Sequence, residues 1–553
     1  MPKRIYITTP IYYVNDKPHI GHAYTTTVCD VYARFMRFAG WDVFFLTGTD
    51  EHGLKVEKSA QARGISPQQL ADENAAEFRR VMSRLGLTFD DFIRTTEPRH
   101  VEQVQAMVTK LLDTDAVYLG EFEGWYDEGQ EEYHTETKAR ELDFKSPVSG
   151  EPLVRAKEDN YYFRLSAFQK PLERLFQQQP DFVRPAARRN EVLGRLREGL
   201  QDVPMSRTNF TWGVPMPNDP GHVIYVWIDA LMNYITALGL GEPDSDVYRQ
   251  RSKYWPATYH IIGKEILWFH AVIWPAILMA LDLPLPKCVY AHSFWIREGQ
   301  KMSKSLGNFI DLTTIKQYVD RYGLDAWRYY MATHGPLGAT DADFRAEHFH
   351  SVYNTDLANT LGNCASRTAA MINKYFDGFV PAEAEPDESV DGGRGRSGSP
   401  TPNEERPDCL RMMIADHDWP AIAKEAVSSS TTAMEKIDLA RSIGSAIGLV
   451  RRVDAFINLT EPYKLAKDQG KRGELGAILY QCLEAVRIAS LLLWAVMPEK
   501  MSELWSALGL SIEPDAGRLA ELAEWGGLEP GRRVRKIALF PRVDTLRVID
   551  GAA

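Results

Sequence analysis

A split α/β domain followed by an all-α bundle is the fold this sequence predicts, and three observations carry it. Strand-like and helix-like runs alternate over residues 1–118 and again over 221–300, the pattern of a parallel sheet with right-handed crossovers. Between them, residues 119–220 break into turns, charges and short β-like pieces, as an insert would. From about residue 361 the apolar spacing is helical.

Taken in order, Arg4 to Thr9 is β-branched and aromatic and stops at Pro10, which predicts a short buried strand. A turn rich in Asn15, Asp16, Lys17 and Pro18 follows, then His19-Ile20-Gly21-His22, then an amphipathic helix over Ala23 to Ala39. Two histidines and a glycine therefore stand where a strand hands over to a helix N-terminus. Free backbone N–H groups and a partial positive charge favour an anion such as phosphate there. Gly21 has no Cβ to block a flat group, and His19 and His22 supply ring donors. Trp41 to Thr47 is the second strand, ending at Gly48-Thr49-Asp50-Glu51-His52-Gly53, with helices expected over Val56 to Arg63 and Pro67 to Leu85.

The insert carries Gly124-Trp125-Tyr126 and a turn at Ser149-Gly150. His134 with Glu131, Glu132 and Glu136 is its only conceivable metal-ligand set, and the spacing favours a solvated charged face. The α/β pattern resumes with a strand over His222 to Trp227, a helix through Leu238, a strand over Thr258 to Ile262, an apolar helix after Gly263 and a strand over Val289 to Ile296. Leu475, Ile478, Leu479, Cys482, Leu483 and Val486 predict one apolar helix face, and Arg441 to Ile457 reads likewise. Arg535 to Phe540 reads as a strand returning to the main body.

Composition excludes several classes. With 553 residues and 44% hydrophobic content, the chain has material for roughly three or four domains. Its net charge of −11 leaves a nucleic-acid partner open, because phosphate contact needs a local basic face, not a basic total. Five scattered cysteines with no CxxC pair argue against a disulfide framework or a cysteine-bound zinc and fit a reducing, cytoplasmic setting. The first strand begins at about Arg4, which leaves no room for a targeting segment. The run Ile266 to Leu281 contains His270 and Pro275 and falls short of the ~20 residues a bilayer requires, so no membrane association is expected. No Walker A loop, GxGxxG or HExxH is present.

Downstream, Lys301-Met302-Ser303-Lys304-Ser305 precedes Leu306-Gly307-Asn308. HIGH followed by KMSKS, in that order, resembles the class I aminoacyl-tRNA synthetases, and the stretches between and after them resemble the methionyl-tRNA synthetases from Ile5 to about Trp505. The resemblance implies a Rossmann-like nucleotide-binding catalytic domain (1–118 and 221–300) split by a connective-peptide insert (119–220) with a zinc-free knuckle. A KMSKS loop and stem-contact module (301–360) would follow, then a helical anticodon-binding domain (361–510) and a C-terminal segment packing back (511–553). Residues 383–408, rich in Pro, Gly, Ser and charge, cannot bury a core and are expected to be a mobile linker.

By the same resemblance, the chain activates L-methionine with ATP and Mg2+ and transfers it to tRNA(Met), initiator tRNA included, as a monomer without structural zinc. His19, His22, Lys301 and Lys304 are the implied catalytic groups, with Gly21 and Glu265 also at ATP; many relatives have aspartate at Glu265. Gly299 and Gly307 are the expected hinges of the lysine loop. The implied methionine pocket is Pro10, Ile11, Tyr13, Asp50, Trp227, Ala230, Leu231, Tyr234, Ile266 and His270. Trp227, Ala230, Leu231 and Tyr234 stand at i, i+3, i+4 and i+7, one helix face. Asp50 is the candidate partner of the substrate ammonium and Glu51 competes with it; Tyr13 and His270 are the polar groups expected to read the sulfur. Asn363 and Arg367 match an anticodon-reading pair, and Tyr463 stands where the family has tryptophan; Arg451 and Arg452 are phosphate candidates. A cysteinyl enzyme would need a thiolate set this chain lacks, and a catalytically dead tRNA-binding paralogue would not need both motifs intact.

Overall fold

The structure is a computed structural model that describes residues 3–14, 17–127, 132–134, 136–302, 308–382 and 417–545. The linker expected over 383–408 and the core of the KMSKS loop, Lys304 and Gly307 included, lie outside the described residues.

The chain opens with β1 (Arg4–Thr8), β2 (Tyr12–Tyr13), α1 (Ile20–Phe38) and β3 (Asp42–Asp50), then α2 (Leu54–Arg63), α3 (Pro67–Arg84), β4 (Asp91–Arg94) and α4 (Pro98–Leu112). From within the insert comes β5 (Val183–Arg184), and after it α5 (Val226–Thr236), β6 (Tyr259–Gly263) and β7 (Val289–His292). These strands form one seven-stranded sheet in the order β2-β3-β1-β6-β7-β5, with β4 also on β3. Every pairing is parallel, including Arg4↔Asp42 through Thr8↔Leu46 and His260↔Val289 through Gly263↔His292. Helices cover such a sheet on both faces, so its strands are largely apolar; Ile7, Phe45, Leu46, Ile261 and Ile262 are fully buried.

Strand β3 runs past its expected end at Thr47, because Tyr12 and Tyr13 pair with Thr49 and Asp50 and extend the ladder. Asp50 is thereby fixed at the carboxyl edge of the sheet, where ligands bind in open α/β folds. Gly48 permits this: a Cβ there would fall 2.1 Å from the Ile93 carbonyl oxygen of β4.

Three strand expectations need correction. His222 to Trp227 does not enter the main sheet: Asp219–Ile224 belongs to a small antiparallel sheet, and Trp227 is already in α5. Val289 to Ile296 is two strands, since the chain leaves the main sheet at His292 and Trp295–Arg297 joins a separate three-stranded sheet. Arg535 to Phe540 is not a strand; it has no ladder partner, but it packs back through buried Ile537, Leu539 and Phe540.

Within 119–220, Val117–Asp127, Glu132–His134, Val154–Phe163 and Val203–Pro204 build a four-stranded antiparallel sheet, while β5 returns to the edge of the main sheet. Glu136 accepts from Trp125 Nε1 at 2.6 Å and from Arg140 Nε at 3.0 Å. Glu131 lies outside the described residues, as does the Glu132 side chain.

The bundle comprises α6 (Asn363–Tyr375), α7 (Trp419–Glu435), α8 (Leu439–Thr460) and α9 (Arg472–Leu493) with shorter pieces. Here α9 is buried all round rather than along one face, because other helices surround it. Among the described residues the stretch Gln469–Leu493, which contains α9, is the one helix long and apolar enough to cross a membrane, but its most apolar 18 residues are 94% buried inside the protein. Its two internal charges neutralise each other: Arg487 pairs with Glu484 at 2.6 Å, and Glu484 also accepts from the Gly526 and Gly527 amides.

Candidate active site

The N-terminus of α1 is capped by the HIGH histidines themselves. His19 Nδ1 accepts from the Gly21 amide at 3.0 Å, and His22 Nδ1 accepts from the His19 amide at 3.2 Å. A neutral imidazole that accepts at Nδ1 carries its proton on Nε2. Burial and the neighbouring His19 hold His22 well below the ordinary histidine range, so it donates as a neutral ring. The two rings stack at 3.8 Å. The flat group that Gly21 admits is the His19 ring, whose Cε1 would lie 2.9 Å from a Cβ at that position.

A cavity of about 350 Å³ opens beside this terminus. Its wall includes Pro10, Ile11, Tyr13, His19, Gly21, His22, Asp50, Trp227, Ala230, Leu231, Tyr234, Glu265, Ile266 and His270, together with Lys55, Asn233, His292 and Phe294. All ten residues expected at the amino-acid pocket are in that wall.

In this wall, buried Asp50 stands at the edge of β3. Its competitor Glu51 is turned away. Arg94 clasps both Glu51 oxygens at 2.7 and 2.9 Å, and Thr49 and Thr96 donate to them as well. The face of α5 also lines the cavity. Trp227 stacks on Phe269 at 3.8 Å with the planes 10° apart. His270 lies in a π-helical turn, Phe269–Ile273, where the Trp274 amide reaches back to the Phe269 carbonyl. Pro275, having no N–H, cannot supply the next regular helical bond.

His270 does not offer a free nitrogen to a substrate, contrary to the expectation that it reads sulfur directly. Its Nδ1–H donates to the Ile266 carbonyl at 3.0 Å, and its Nε2 accepts from the Tyr234 hydroxyl at 2.7 Å. Burial pushes its pKa down to about 4, so the ring stays neutral and holds Tyr234 in place.

On the nucleotide side, Glu265 folds over Gly263, where a Cβ would meet its carboxylate at 2.3 Å. The side chain reaches water at the cleft mouth, yet the surrounding protein raises its carboxyl above the ordinary range against the opposing pull of Lys264 and Lys301. Lys301 is exposed on a short hairpin strand and does not line the cavity. The chain rejoins α1 just past the KMSKS loop. Ile20 N–H donates to the Ile310 carbonyl at 3.2 Å, and Phe309 sets its edge against the His19 ring at 5.1 Å. The base of the loop is tied by Asn308 Nδ2 donating to the Lys301 carbonyl at 3.2 Å.

The family described as "tRNA synthetases class I (M)" matches residues 5–142 and 138–369. A methionine–tRNA ligase of Halalkalibacterium halodurans is 42% identical over 98% of this chain and 79% of its own length. The Bacillus subtilis methionine–tRNA ligase is 40% identical over 98% of this chain and 78% of its own length. The chain belongs to the methionyl-tRNA synthetase family. Among solved structures, Mycobacterium tuberculosis methionyl-tRNA synthetase in complex with methionyl-adenylate superposes with a TM-score of 0.86 at 35% identity, covering 98% of this chain and 100% of that one. The apo form of the same enzyme gives 0.80 at 31% identity, with 99% of each chain covered. Membership makes this protein a ligase that activates methionine with ATP and charges tRNA.

The three residues expected at the family's anticodon face lie on the bundle, away from the cavity wall. Asn363 is exposed at the start of α6. Arg367 donates to Asp454 at 3.1 Å and Asn458 at 3.2 Å. Tyr463 is 45% exposed, with its hydroxyl on Glu461 at 3.0 Å. Arg451 is engaged by Asp356 at 2.7 Å, so its phosphate role must compete with that pair.

Sequence reasoning missed a buried trio behind the wall. Asp229 of α5 accepts from His52 Nδ1 at 2.7 Å and from His100 Nε2 at 2.8 Å. The two imidazoles hold its carboxyl down at about 2 in spite of burial. The available signal was a carboxylate inside the apolar stretch Tyr225-Val226-Trp227-Ile228-Asp229-Ala230-Leu231, since a charge at a core position is rarely buried unpaired.

Proposed function

We propose that one end of the cavity takes the methionine ammonium on Asp50 and the other takes the thioether against Tyr13, Ile266 and the α5 face. What carries this reading is a single juxtaposition: a buried carboxylate and an apolar aromatic helix face line one cavity beside an anion-binding helix terminus. A charged amine in such a pocket needs a carboxylate partner, and sulfur favours aromatic contact. Glu51 is already engaged by Arg94, which favours Asp50, in the cavity wall, as the substrate's partner. The methionine side chain meets the Tyr234 oxygen, whose proton is committed to His270.

ATP enters as its Mg2+ complex, with phosphates rather than a protein cage as the main ligands of the ion. Its α-phosphate lies at the N-terminus of α1. The methionine carboxylate attacks that phosphorus, pyrophosphate leaves, and the mixed anhydride methionyl-adenylate remains. The terminal adenosine hydroxyl of tRNA(Met) then attacks the anhydride carbonyl and releases AMP. Charge grows on the α-phosphate oxygens and the leaving group in the first step. The Nε2–H groups of His19 and His22 and the ammonium groups of Lys301 and Lys304 are the donors for it; positioning and electrostatics, not covalent chemistry, lower the barrier. Asn363, Arg367 and Tyr463 receive unpaired anticodon bases, and no zinc is needed in the insert. Scattered thiols, four of them buried and unbridged, support a reducing compartment such as the cytoplasm.

The test is ATP–pyrophosphate exchange with Asp50→Asn. Losing a hydrogen bond between charges costs about 1.5–3 kcal/mol, so the methionine KM should rise roughly 10- to 100-fold while the ATP KM holds. An unchanged methionine KM contradicts the assignment.

A further inference from the structure

Asp50 and the α5 face come from opposite sides of a long insertion in the chain, and a ligand that touches both needs their separation fixed. Asp50 is held on its own side. Its backbone carbonyl accepts from the Val14 amide at 3.1 Å, and the next residue, Glu51, is locked to Arg94, Thr95 and Thr96. None of those bonds reaches α5. A bond that does reach it belongs to His52, two residues beyond Asp50, whose Nδ1–H donates to Asp229 Oδ2 at 2.7 Å across 177 residues of sequence.

Asp229 is completely buried and is not part of the cavity wall. It sits in the first turn of α5, directly before Ala230 and two residues after Trp227. Its second oxygen is occupied by His100 Nε2 from α4, and His100 Nδ1 closes the loop on Thr236 Oγ1 at 2.8 Å, again on α5. One carboxylate thus ties three elements through both oxygens. The His52 ring is further braced by the edge of Trp212 at 5.4 Å, and Trp212 Nε1 donates to the Glu51 carbonyl at 2.6 Å.

We propose that Asp229 is a positioning residue for methionine, setting the distance between the ammonium partner Asp50 and the helix face that receives the side chain. It acts through His52, touches no substrate atom, and matters only for a ligand gripped at both ends. Supporting groups behind a recognition site commonly act this way, by fixing the rotamer and separation of the groups that make contact. The inference rests on the assignment of the ammonium to Asp50.

The experiment compares two ligands on one folded protein: L-methionine and 4-(methylthio)butanoate, which keeps the thioether and carboxylate but lacks the ammonium. Dissociation constants are measured by inhibition of exchange and by equilibrium dialysis for the wild type, Asp229→Asn, His52→Gln and Asp50→Asn. Coupling between neighbouring groups of this kind should make Asp229→Asn weaken methionine by roughly tenfold and the desamino ligand by less than about twofold. His52→Gln should give the same selective loss, and it serves as the test should Asp229→Asn fail to fold. A purely structural role would lower the melting temperature and weaken both ligands equally, and that result overturns the proposal. So does no change in either ligand for His52→Gln. Asp50→Asn separates the two claims. If it does not discriminate the ligands, the ammonium assignment itself fails; if it discriminates and Asp229→Asn does not, only the positioning role fails.

Discussion

The cavity proposed for methionine and the bundle face proposed for the anticodon differ in how far their polar groups are already engaged. In the cavity, polar groups are committed before any ligand arrives: Tyr234 to His270, His270 to Ile266, Glu51 to Arg94, and His19 and His22 to the cap of α1. At the bundle face, Asn363 is exposed, Tyr463 is 45% exposed, and Arg367 divides its donors between Asp454 and Asn458 at 3.1 and 3.2 Å. A small amino acid offers few contacts, so its site must avoid any cost of reorganisation. Unpaired bases are large and stack on exposed aromatic planes, so that face can stay open and adjust. Substitutions in the cavity should therefore be severe and specific for activation, and those on the bundle milder and confined to tRNA.

The largest effect should come at the α1 terminus. In the proposed mechanism His22→Ala removes a neutral donor to the developing charge, and single-turnover adenylate formation should slow by roughly 10²–10³-fold. A loss below tenfold would break the contrast between the two regions. Lys304→Ala should likewise slow adenylate formation far more than it weakens methionine binding, and equal losses would count against a transition-state role.

Tyr234→Phe is next. It leaves His270 Nε2 buried without its donor, an omission worth about 1–3 kcal/mol. Both the melting temperature and the methionine KM should respond, whereas the charging KM for tRNA should not.

Tyr463→Ala belongs to the other region. Loss of a stacked base costs roughly 1–3 kcal/mol, so the tRNA KM should rise by about tenfold or more with pyrophosphate exchange untouched. A fall in exchange would show the two regions to be coupled, contrary to the comparison.

The smallest effect concerns pH. Burial pushes His270 and His292 from 6.5 down to about 4. The unfolded chain takes up these protons below 6.5 and the native chain refuses them until about 4, so their contribution is complete above 6.5 and is lost as pH falls through that window. Asp325 works in the opposite sense, its carboxyl raised to about 6 by burial, and offsets one of the two. The melting temperature should fall modestly from pH 7 to pH 5; a rise would contradict the neutral, buried rings.

Local pattern made much of this legible. HIGH at a strand-to-helix joint and the i, i+3, i+4, i+7 face of α5 both lie where the sequence put them, because each rests on spacing within one element. Long-range pairing was not legible. The extension of β3 to Asp50 depends on β2, the engagement of His270 on Tyr234, and the burial of Asp229 on His52 and His100 from other elements. Arg535 to Phe540 has strand composition but no ladder to join, since the Arg535 amide goes to the Ala507 carbonyl instead. A sequence shows what an element would bury and leaves open what it meets.

The central claim is that one cavity grips an amino acid at its ammonium and at a thioether. Pyrophosphate exchange against all twenty amino acids, without tRNA, tests it most directly. The account predicts exchange with methionine alone; strong exchange with a different amino acid, or with none even after tRNA is added, would contradict it.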